Sequence, residues 1–312
     1  MKGYESAYHA RMERRQLEYF IAVVDQGGFG RAAEAVHVTQ PSLSQAINAL
    51  EKDLGVTLFH RLGRKVKLTS AGEALLSPAR QVLRDHAVAR AAVAKVRGGY
   101  DGTLDIASTP TVAAHPLSAL LGAFVQRYPG VSVRITDCDV PGGATAIVGG
   151  GECELGVLRL PEVAGGLVST SLGHQAFYLV LPPQAADPGR GPAELSLLGE
   201  LPLIVTPPGT SSRKRLDEAL AIANVTDPHI VVETIYRATI VNLVAAGVGA
   251  SFLPRHMALD AARLGARVLE TTPRVAHEIG IVRRNGPMSP AAKAFVDLAI
   301  EMAPFGDEGE LP

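Results

Sequence analysis

The sequence predicts an α/β protein that begins with an all-α winged helix-turn-helix and continues as a two-lobed α/β module. Three observations lead to this fold class. Short apolar patterns of helical period crowd the first part of the chain. Strand and helix patterns alternate from residue 103 onward. A Pro/Gly-rich stretch, PPQAADPGRGPAE, interrupts that alternation and divides the module.

The composition is that of a soluble globular protein, with 47% hydrophobic and 20% charged residues among 312. No stretch approaches the roughly 18 apolar residues of a membrane span. The N-terminus also lacks the apolar core of a secretory signal, so the chain is expected in the cytoplasm, away from membranes.

The charge is divided unevenly along the chain. Residues 1–100 carry 15 Lys and Arg against 9 Asp and Glu, a net charge of +6, whereas residues 101–312 carry 15 against 22, a net charge of -7. A basic part joined to an acidic part suggests that only the first part meets a polyanion.

The first module is predicted to contain three short helices. The pattern RRQLEYFIAVVDQ stops at a pair of glycines, and a second helix fits residues 30–36. A third helix begins after Thr39, a suitable N-cap, accepts Pro41 in its first turn, and ends at Gly55. Three short helices with a tight bend before the third describe a helix-turn-helix. One face of the third helix is apolar and consists of Leu43, Ile47, Leu50 and Leu54.

A basic hairpin and a long helix follow. Predicted strands at 58–59 and 66–68 flank the turn RLGRK, which forms a wing. The segment SAGE, beginning at Ser70, has capping-box spacing, and an apolar stripe continues from it to Arg97. At 1.5 Å per residue this helix is about 42 Å long. Its apolar stripe predicts a partner helix, most simply that of a second copy of the chain.

The remaining chain is predicted to form parallel sheets flanked by helices. The strand patterns are TLDIAS, VSVRIT, CELGVLR, AFYLVL, LPLIV, IVVETI, ASFLP and EIGIVRR, and helices fit 111–127, 143–150 and the segments that begin at Ser211, Arg237 and Ser289. The break and the isolated last strand predict two lobes, about 100–172 with 275–304 and about 173–274. Ligands of open α/β sheets bind at the carboxyl ends of strands, so a cleft is expected there.

Three stretches carry a family resemblance: RQLEYFIAVVDQGGFGRAAEAVHVTQPSLSQAINALEKDLGVTLFHRLGRKVKLTSAGE at 15–73, then PLIVTPPGTSSR and LVAAGVGASFLP. With them the chain resembles the LysR-type transcriptional regulators. The resemblance implies a winged helix-turn-helix at 12–69 that binds double-stranded promoter or operator DNA. It also implies a dimerisation helix at 70–99 within a homodimer or homotetramer, and a periplasmic-binding-protein-like module at 100–304 that binds a small-molecule effector.

The face of the third helix opposite its apolar residues is uncharged and rich in hydrogen-bonding groups. An α-helix fits the major groove, where Gln and Asn pair with adenine and Pro can contact a thymine methyl. Base contacts are therefore expected from Gln40, Pro41, Ser42, Gln45 and Asn48. Phosphate contacts are expected from Thr39, Ser44, Arg31, Arg61, Arg64 and Lys65. Because this helix has no cation before Lys52, the wing should supply most of the phosphate affinity, and the salt dependence should be shallow.

Two loops are expected to aim hydroxyls and backbone N–H groups into the cleft. STPT follows the first strand of the module and opens a helix, and TPPGTSSR does the same in the second lobe. Helix N-termini with hydroxyls attract carboxylates, which predicts a small organic anion as effector. In contrast, the stretch VPGG at 140–143 should leave the neighbouring wall without polar contacts. The expected effector-binding residues are Ser108, Thr109, Thr111, Thr206, Thr210, Tyr236 and Arg237.

Other functions remain open at this level. The α/β module alone would suit a solute-binding receptor, although the basic wing argues against it. A regulator that senses oxidation through Cys138 and Cys153 is a second alternative. The chain has no GxSxG, P-loop or HExxH motif, so neither an enzyme nor a metal or cofactor is expected.

Overall fold

The computed structural model describes residues 12–62, 65–96, 102–139, 143–161, 166–186, 189 and 191–305. The chain separates into two units. The first contains the residues up to Asp101 together with Gly149–Glu152 and Pro287–Pro290, and the second contains the remainder.

The first unit is held together by one apolar cluster. Thr39 caps the third helix, because its hydroxyl accepts a hydrogen bond from the Ser42 N–H at 3.4 Å. The cluster joins Leu17 and Phe20 of the first helix to Ile47 of the third and to Phe59 of the hairpin. The elements are α1 (Arg14–Gln26), α2 (Phe29–Ala35), α3 (Gln40–Leu54), β1 (Phe59–Leu62), β2 (Lys65–Leu68) and α4 (Ser70–Val96).

Three details of this unit differ from the sequence-based prediction. Leu54 does not belong to the buried face, because it lies at the end of α3 beyond the core and is 37% exposed. The cap of α4 is Thr69 and not Ser70, since the Thr69 hydroxyl accepts from the Gly72 N–H at 3.1 Å. The hairpin strands also extend further into the predicted turn, to Leu62 and from Lys65.

The elements of the remaining chain follow in sequence order. They are β3 (Gly102–Ser108), α5 (Pro110–Val112), α6 (Ser118–Arg127), β4 (Val131–Asp137), β5 (Leu155–Arg159), β6 (Leu167–Leu181), β7 (Ala193–Glu194), β8 (Leu203–Val205), α7 (Ser211–Ile222), β9 (Ile230–Glu233), α8 (Arg237–Ala245), β10 (Ser251–Pro254), α9 (Arg255–Arg263), β11 (Arg267–Leu269), β12 (Thr271–Thr272), β13 (Ala276–Arg284) and α10 (Pro290–Met302).

The main sheet has the strand order β10-β6-β13-β5-β3-β4, and β11 pairs with β6. Its strands β4, β3 and β5 are parallel, whereas β13 runs antiparallel to β5 and β6. The expectation of parallel sheets is therefore correct for the first part of the sheet and for the β8–β9 pair. The long strand β6 pairs with β13 up to Ala176 and with β10 from Phe177 onward.

Several elements depart from the predicted pattern. The helix predicted at 111–127 is broken at His115, whose φ of -160° and ψ of 129° are extended. The residue before a proline avoids helical geometry, and Pro116 follows here. The predicted helix at 143–150 is a π-helical segment, Thr145–Gly149. Strand β6 begins well before the predicted AFYLVL, and α9 was not predicted.

Within the described ranges, no helix combines the length and apolar character needed to cross a membrane.

Candidate functional sites

Helix α3 separates a buried face from an exposed one. Leu43, Ile47 and Leu50 are completely buried in the cluster of the first unit. Each predicted base-contacting residue is solvent-exposed: Gln40, Pro41, Ser42, Gln45 and Asn48. The fold thus presents a continuous surface of amide and hydroxyl groups on a helix, which is the geometry required for major-groove contacts.

The predicted phosphate contacts differ in their surroundings. The Thr39 and Ser42 hydroxyls lie 2.8 Å apart and hydrogen-bond to each other, so these two groups are also engaged in capping α3. Ser44 is half-buried and Arg31 is exposed. Arg64 lies outside the described residues, as do the side chains of Arg61 and Lys65.

The wing is fixed to α3 through Glu51. Its Oε1 accepts hydrogen bonds from the backbone N–H groups of Leu58 and Phe59, at 2.7 and 3.3 Å. These bonds connect the last turns of α3 to the start of β1. The orientation of the hairpin relative to the recognition surface is therefore set by these partly buried hydrogen bonds as well as by apolar packing.

A cavity of about 960 Å³ lies in the second unit. It forms where β3, β4 and β5 end and where α7 begins, which is the edge at which ligands of open α/β sheets bind. The residues that line it include three of the predicted effector contacts, Thr109, Thr111 and Thr210. Thr210 also caps α7 by accepting from the Arg213 N–H at 3.3 Å.

Other predicted effector residues are directed elsewhere. The Ser108 hydroxyl donates to the Val157 carbonyl at 2.6 Å and is buried within the sheet. Thr206 is 3% exposed and hydrogen-bonds through its hydroxyl to Thr210 at 2.7 Å. Tyr236 is 72% exposed and is not among the residues that line the cavity. The structure therefore does not bring these three side chains to the cavity wall.

Arg237 reaches the cavity region through Asp139. The Asp139 carboxylate accepts from an Arg237 Nη2 at 2.6 Å, from the Ser211 N–H at 2.7 Å and from the Ser211 hydroxyl at 3.2 Å. The side chains of Asp139 and Arg237 are 8% and 15% exposed. The stretch VPGG was expected to leave the wall after β4 without polar contacts, and its residues 140–142 lie outside the described part of the chain. Asp139, directly before it, lines the cavity and supplies a polar group at this wall.

The cavity also has a cationic wall made of Arg159, Arg215 and His277. Both guanidinium groups approach Glu218, at 3.4 Å from Arg159 and 2.7 Å from Arg215. Arg159 Nε and His277 Nδ1 are buried and make no hydrogen bond with any described residue, whereas Arg215 Nη1 lies 2.7 Å from Glu218 Oε2. This wall can supply several donors to an anion.

The protonation of this wall follows from burial and from its neighbouring charges. Burial, followed by the charges of Arg215 and Arg159, lowers the pKa of His277 from 6.5 to about 3. Burial and then the charge of Arg159 lower the pKa of Arg215 below its usual range. His277 is therefore neutral near pH 7, and the positive charge of the wall resides on the arginines.

Sequence analysis missed Asp139, Arg159, Arg215 and His277. One available signal was the position of Arg159 at the carboxyl end of β5 and of Asp139 shortly after β4, because parallel strands end at one edge of a sheet. Strand β13 begins at that edge because it runs antiparallel to β5, which brings His277 there. The sequence pattern did not indicate this reversal.

Cys138 and Cys153 do not form a disulfide, and both belong to one buried apolar cluster. They are 5% and 1% exposed, and Cys138 lines the cavity. Reactive cysteines occupy electropositive and partly exposed positions, so burial does not favour the redox-sensing alternative.

Comparison with known proteins agrees with this architecture. The model described as "Bacterial regulatory helix-turn-helix protein, lysR family" matches residues 14–73. The model described as "LysR substrate binding domain" matches residues 97–304. The chain therefore belongs to the LysR family of transcriptional regulators. It is a DNA-binding regulator with an effector-binding domain and not an enzyme.

Individual relatives resemble the chain over nearly its whole length. The chain is 30% identical over 294 residues to the HTH-type transcriptional regulator IlvR of Caulobacter vibrioides, covering 93% of this chain and 98% of that protein. A full-length OxyR variant from Pseudomonas aeruginosa is similar in structure, with a TM-score of 0.73, 25% identity and coverage of 94% and 95%. Full-length CbnR, solved with its target DNA, has a TM-score of 0.62, 26% identity and coverage of 94% and 100%.

Proposed function

We propose that this regulator reads its operator with the exposed face of α3 and that a small organic anion in the cavity controls it. The observation that carries the proposal is the uncharged hydrogen-bonding face of α3, on which Gln40, Pro41, Ser42, Gln45 and Asn48 are exposed. Gln and Asn amides supply paired donors and acceptors for base edges. Arg31 and the wing supply charge for phosphates.

The proposed effector contacts combine the predicted hydroxyls with the cavity. Thr109, Thr111 and Thr210 line it and offer hydrogen bonds to a ligand. Its volume of about 960 Å³ lies within the range of small-molecule sites. By binding one arrangement of the module better than another, the effector would change the placement of the DNA-binding units.

The proposed oligomer is a homodimer formed through α4, or a homotetramer made of two such dimers. Helix α4 has 27 residues and an apolar stripe on which Val82 and Val93 are 44% and 67% exposed. A helix with an apolar stripe is stabilised by a partner. We expect the protein in the cytoplasm, where its DNA lies.

The core of the proposal is tested by a gel-shift assay with the DNA upstream of its own gene. Retardation is expected at low salt and should weaken as salt rises, because phosphate contacts release counterions. No retardation at low salt by protein that remains dimeric would refute operator binding.

The effector class is tested by a thermal-shift screen of small carboxylates, together with neutral and cationic compounds of similar size. A true effector raises the melting temperature with increasing concentration relative to its dissociation constant. It should also change the retarded pattern on DNA. A screen in which only neutral or cationic compounds stabilise the protein would contradict the anionic class.

A further inference from the structure

We propose that the anionic group of the effector binds the cavity wall formed by Arg159, Arg215 and His277, and does not bind the N-terminus of α7. The inference rests on the proposed function, because it takes the cavity as the effector site. Two sets of contacts determine the choice between these two positions.

The N-terminus of α7 already has an anion. The Asp139 carboxylate accepts from the Ser211 N–H and hydroxyl, at 2.7 and 3.2 Å, and is paired with Arg237 at 2.6 Å. This arrangement uses the partial positive charge of the helix terminus and the guanidinium of Arg237. A second carboxylate at the same place would lie against a buried negative charge and be repelled.

The wall formed by Arg159, Arg215 and His277 has donors to offer. Arg159 Nε and His277 Nδ1 are buried and make no hydrogen bond with any residue the structure describes. Arg215 is 5% exposed and is paired through Nη1 with Glu218 at 2.7 Å. Buried donors in proteins are nearly always hydrogen-bonded, and leaving one unpaired is unfavourable. An anion's oxygens can satisfy several such donors at once, because guanidinium groups match carboxylates in geometry.

The charge balance favours the same wall. Arg159 and Arg215 share Glu218, whose side chain is 47% exposed, so two guanidinium charges face one carboxylate. Lys214 adds a further cation to the lining of the cavity. Burial and the neighbouring Arg159 lower the pKa of Arg215, which indicates that its charge is incompletely compensated. An anion placed between them would relieve this repulsion.

The rest of the lining defines the class of molecule. Val112, Leu158 and Phe177 contribute apolar surface next to the cationic wall. A carboxylate with an apolar body matches both parts of the cavity, since its charge pairs with the arginines while its carbon skeleton is removed from water.

The experiment compares acids with their uncharged amides by isothermal titration of the full-length protein. The probes are phenylacetate and glutarate at millimolar concentrations, each paired with its primary amide, phenylacetamide or glutaramide. At least one acid should bind, and its amide should bind about tenfold more weakly or not at all, because only the acid pairs with the arginines.

Variants then locate the contact. Arg159→Gln should weaken binding of the acid about tenfold or more. This side chain is 42% exposed, so its replacement is compatible with folding, which circular dichroism verifies. The matched control is Arg134→Gln on β4, where the arginine is 70% exposed, pairs with Asp105 and does not line the cavity. This control should change the affinity less than about twofold, as expected for a screened surface charge.

Three outcomes would overturn the inference. They are that no acid binds the wild type, that acid and amide bind equally, or that Arg159→Gln behaves like Arg134→Gln. DNA retardation by the wild type without any acid reports on the proposed function separately. If no acid binds in the titration but the protein still retards its DNA, only the assignment of the cationic wall as the anion site is rejected.

Discussion

At the scale of single residues, α3 divides its side chains between packing and recognition. Leu43, Ile47 and Leu50 are fully buried, and Gln45 and Asn48 are exposed on the other side. Because α3 has no cation before Lys52, its contacts should depend on base edges more than on phosphates. Arg31 on α2 is the exposed cation expected to bind a phosphate.

The division between bases and phosphates predicts two different mutant phenotypes. Gln45→Ala should weaken operator binding by about 1–3 kcal/mol and relax the base preference at one position, because a base contact is lost. Arg31→Ala should weaken binding to all sequences alike and reduce the salt slope by about one, because one phosphate contact is lost. Fluorescence anisotropy over a salt series, with operator and unrelated DNA, measures both effects.

The matched control for Gln45→Ala is Gln26→Ala, which removes an exposed glutamine at the end of α1. This variant should bind as the wild type does. Equal losses on operator and unrelated DNA for Gln45→Ala would contradict a base-reading role.

At the scale of elements, α4 carries apolar side chains that the other helices of its unit do not cover. Its first turns pack against α1, and Ala79 is completely buried there. Val82 and Val93 further along are exposed. The element is thus partly packed within its chain, and its remaining apolar stripe is suited to an identical helix.

Replacing Val82 by glutamate should therefore weaken the homodimer. Burying a charge in a helix–helix interface without a partner is unfavourable by several kcal/mol. Sedimentation velocity over a dilution series should show dissociation at higher protein concentration than for the wild type. Val56→Glu is the control, because Val56 is 46% exposed, close to the 44% of Val82, but follows α3. Identical dissociation of both variants would argue against α4 as the interface.

At the scale of the whole molecule, two partly buried histidines link the stability of the chain to pH. Burial and then Arg215 and Arg159 lower the pKa of His277 to about 3. Burial, and then His115 with its ring centroid 6.0 Å away, lower the pKa of His256 to about 4. Both are neutral in the folded state near pH 7.

These depressed pKa values predict a loss of stability in mild acid. Below the unfolded pKa of 6.5 the unfolded chain binds protons at these positions and the folded chain does not, so unfolding is favoured as pH falls towards the folded values. Each histidine should reduce the free energy of unfolding by up to about 2 kcal/mol between pH 7 and 5. Urea unfolding at the two pH values measures the difference.

In the variant His277→Gln, the free energy of unfolding should depend less on pH, because the contribution of His277 is removed. His229→Gln, which replaces an exposed histidine, serves as control and should retain the dependence of the wild type. A wild-type midpoint that does not change between pH 7 and 5 would contradict the partly buried neutral state of both histidines.

The fold was predictable wherever local chemistry decides the structure. Thr39 and Gly55 mark the two ends of α3 in the sequence, and the structure caps the helix at both. The first half of β6, LVSTSLGH, was missed because it is short of apolar residues and contains a glycine. Its strand conformation comes from pairing with β13, which is distant in sequence.

The sequence by itself determined the family, the order of the modules and the polar face of α3, because these depend on local periodicity, capping and spacing. Only the tertiary structure decided which side chains meet in the cavity. Asp139, Arg159, Arg215 and His277 come from four separated segments. The hydroxyl groups of Ser108 and Thr206, which were predicted to face the cleft, form hydrogen bonds with Val157 and Thr210 instead. The physical reason is that a charged or hydrogen-bonding group acts over a few ångströms of space, and spacing along the chain does not fix that distance.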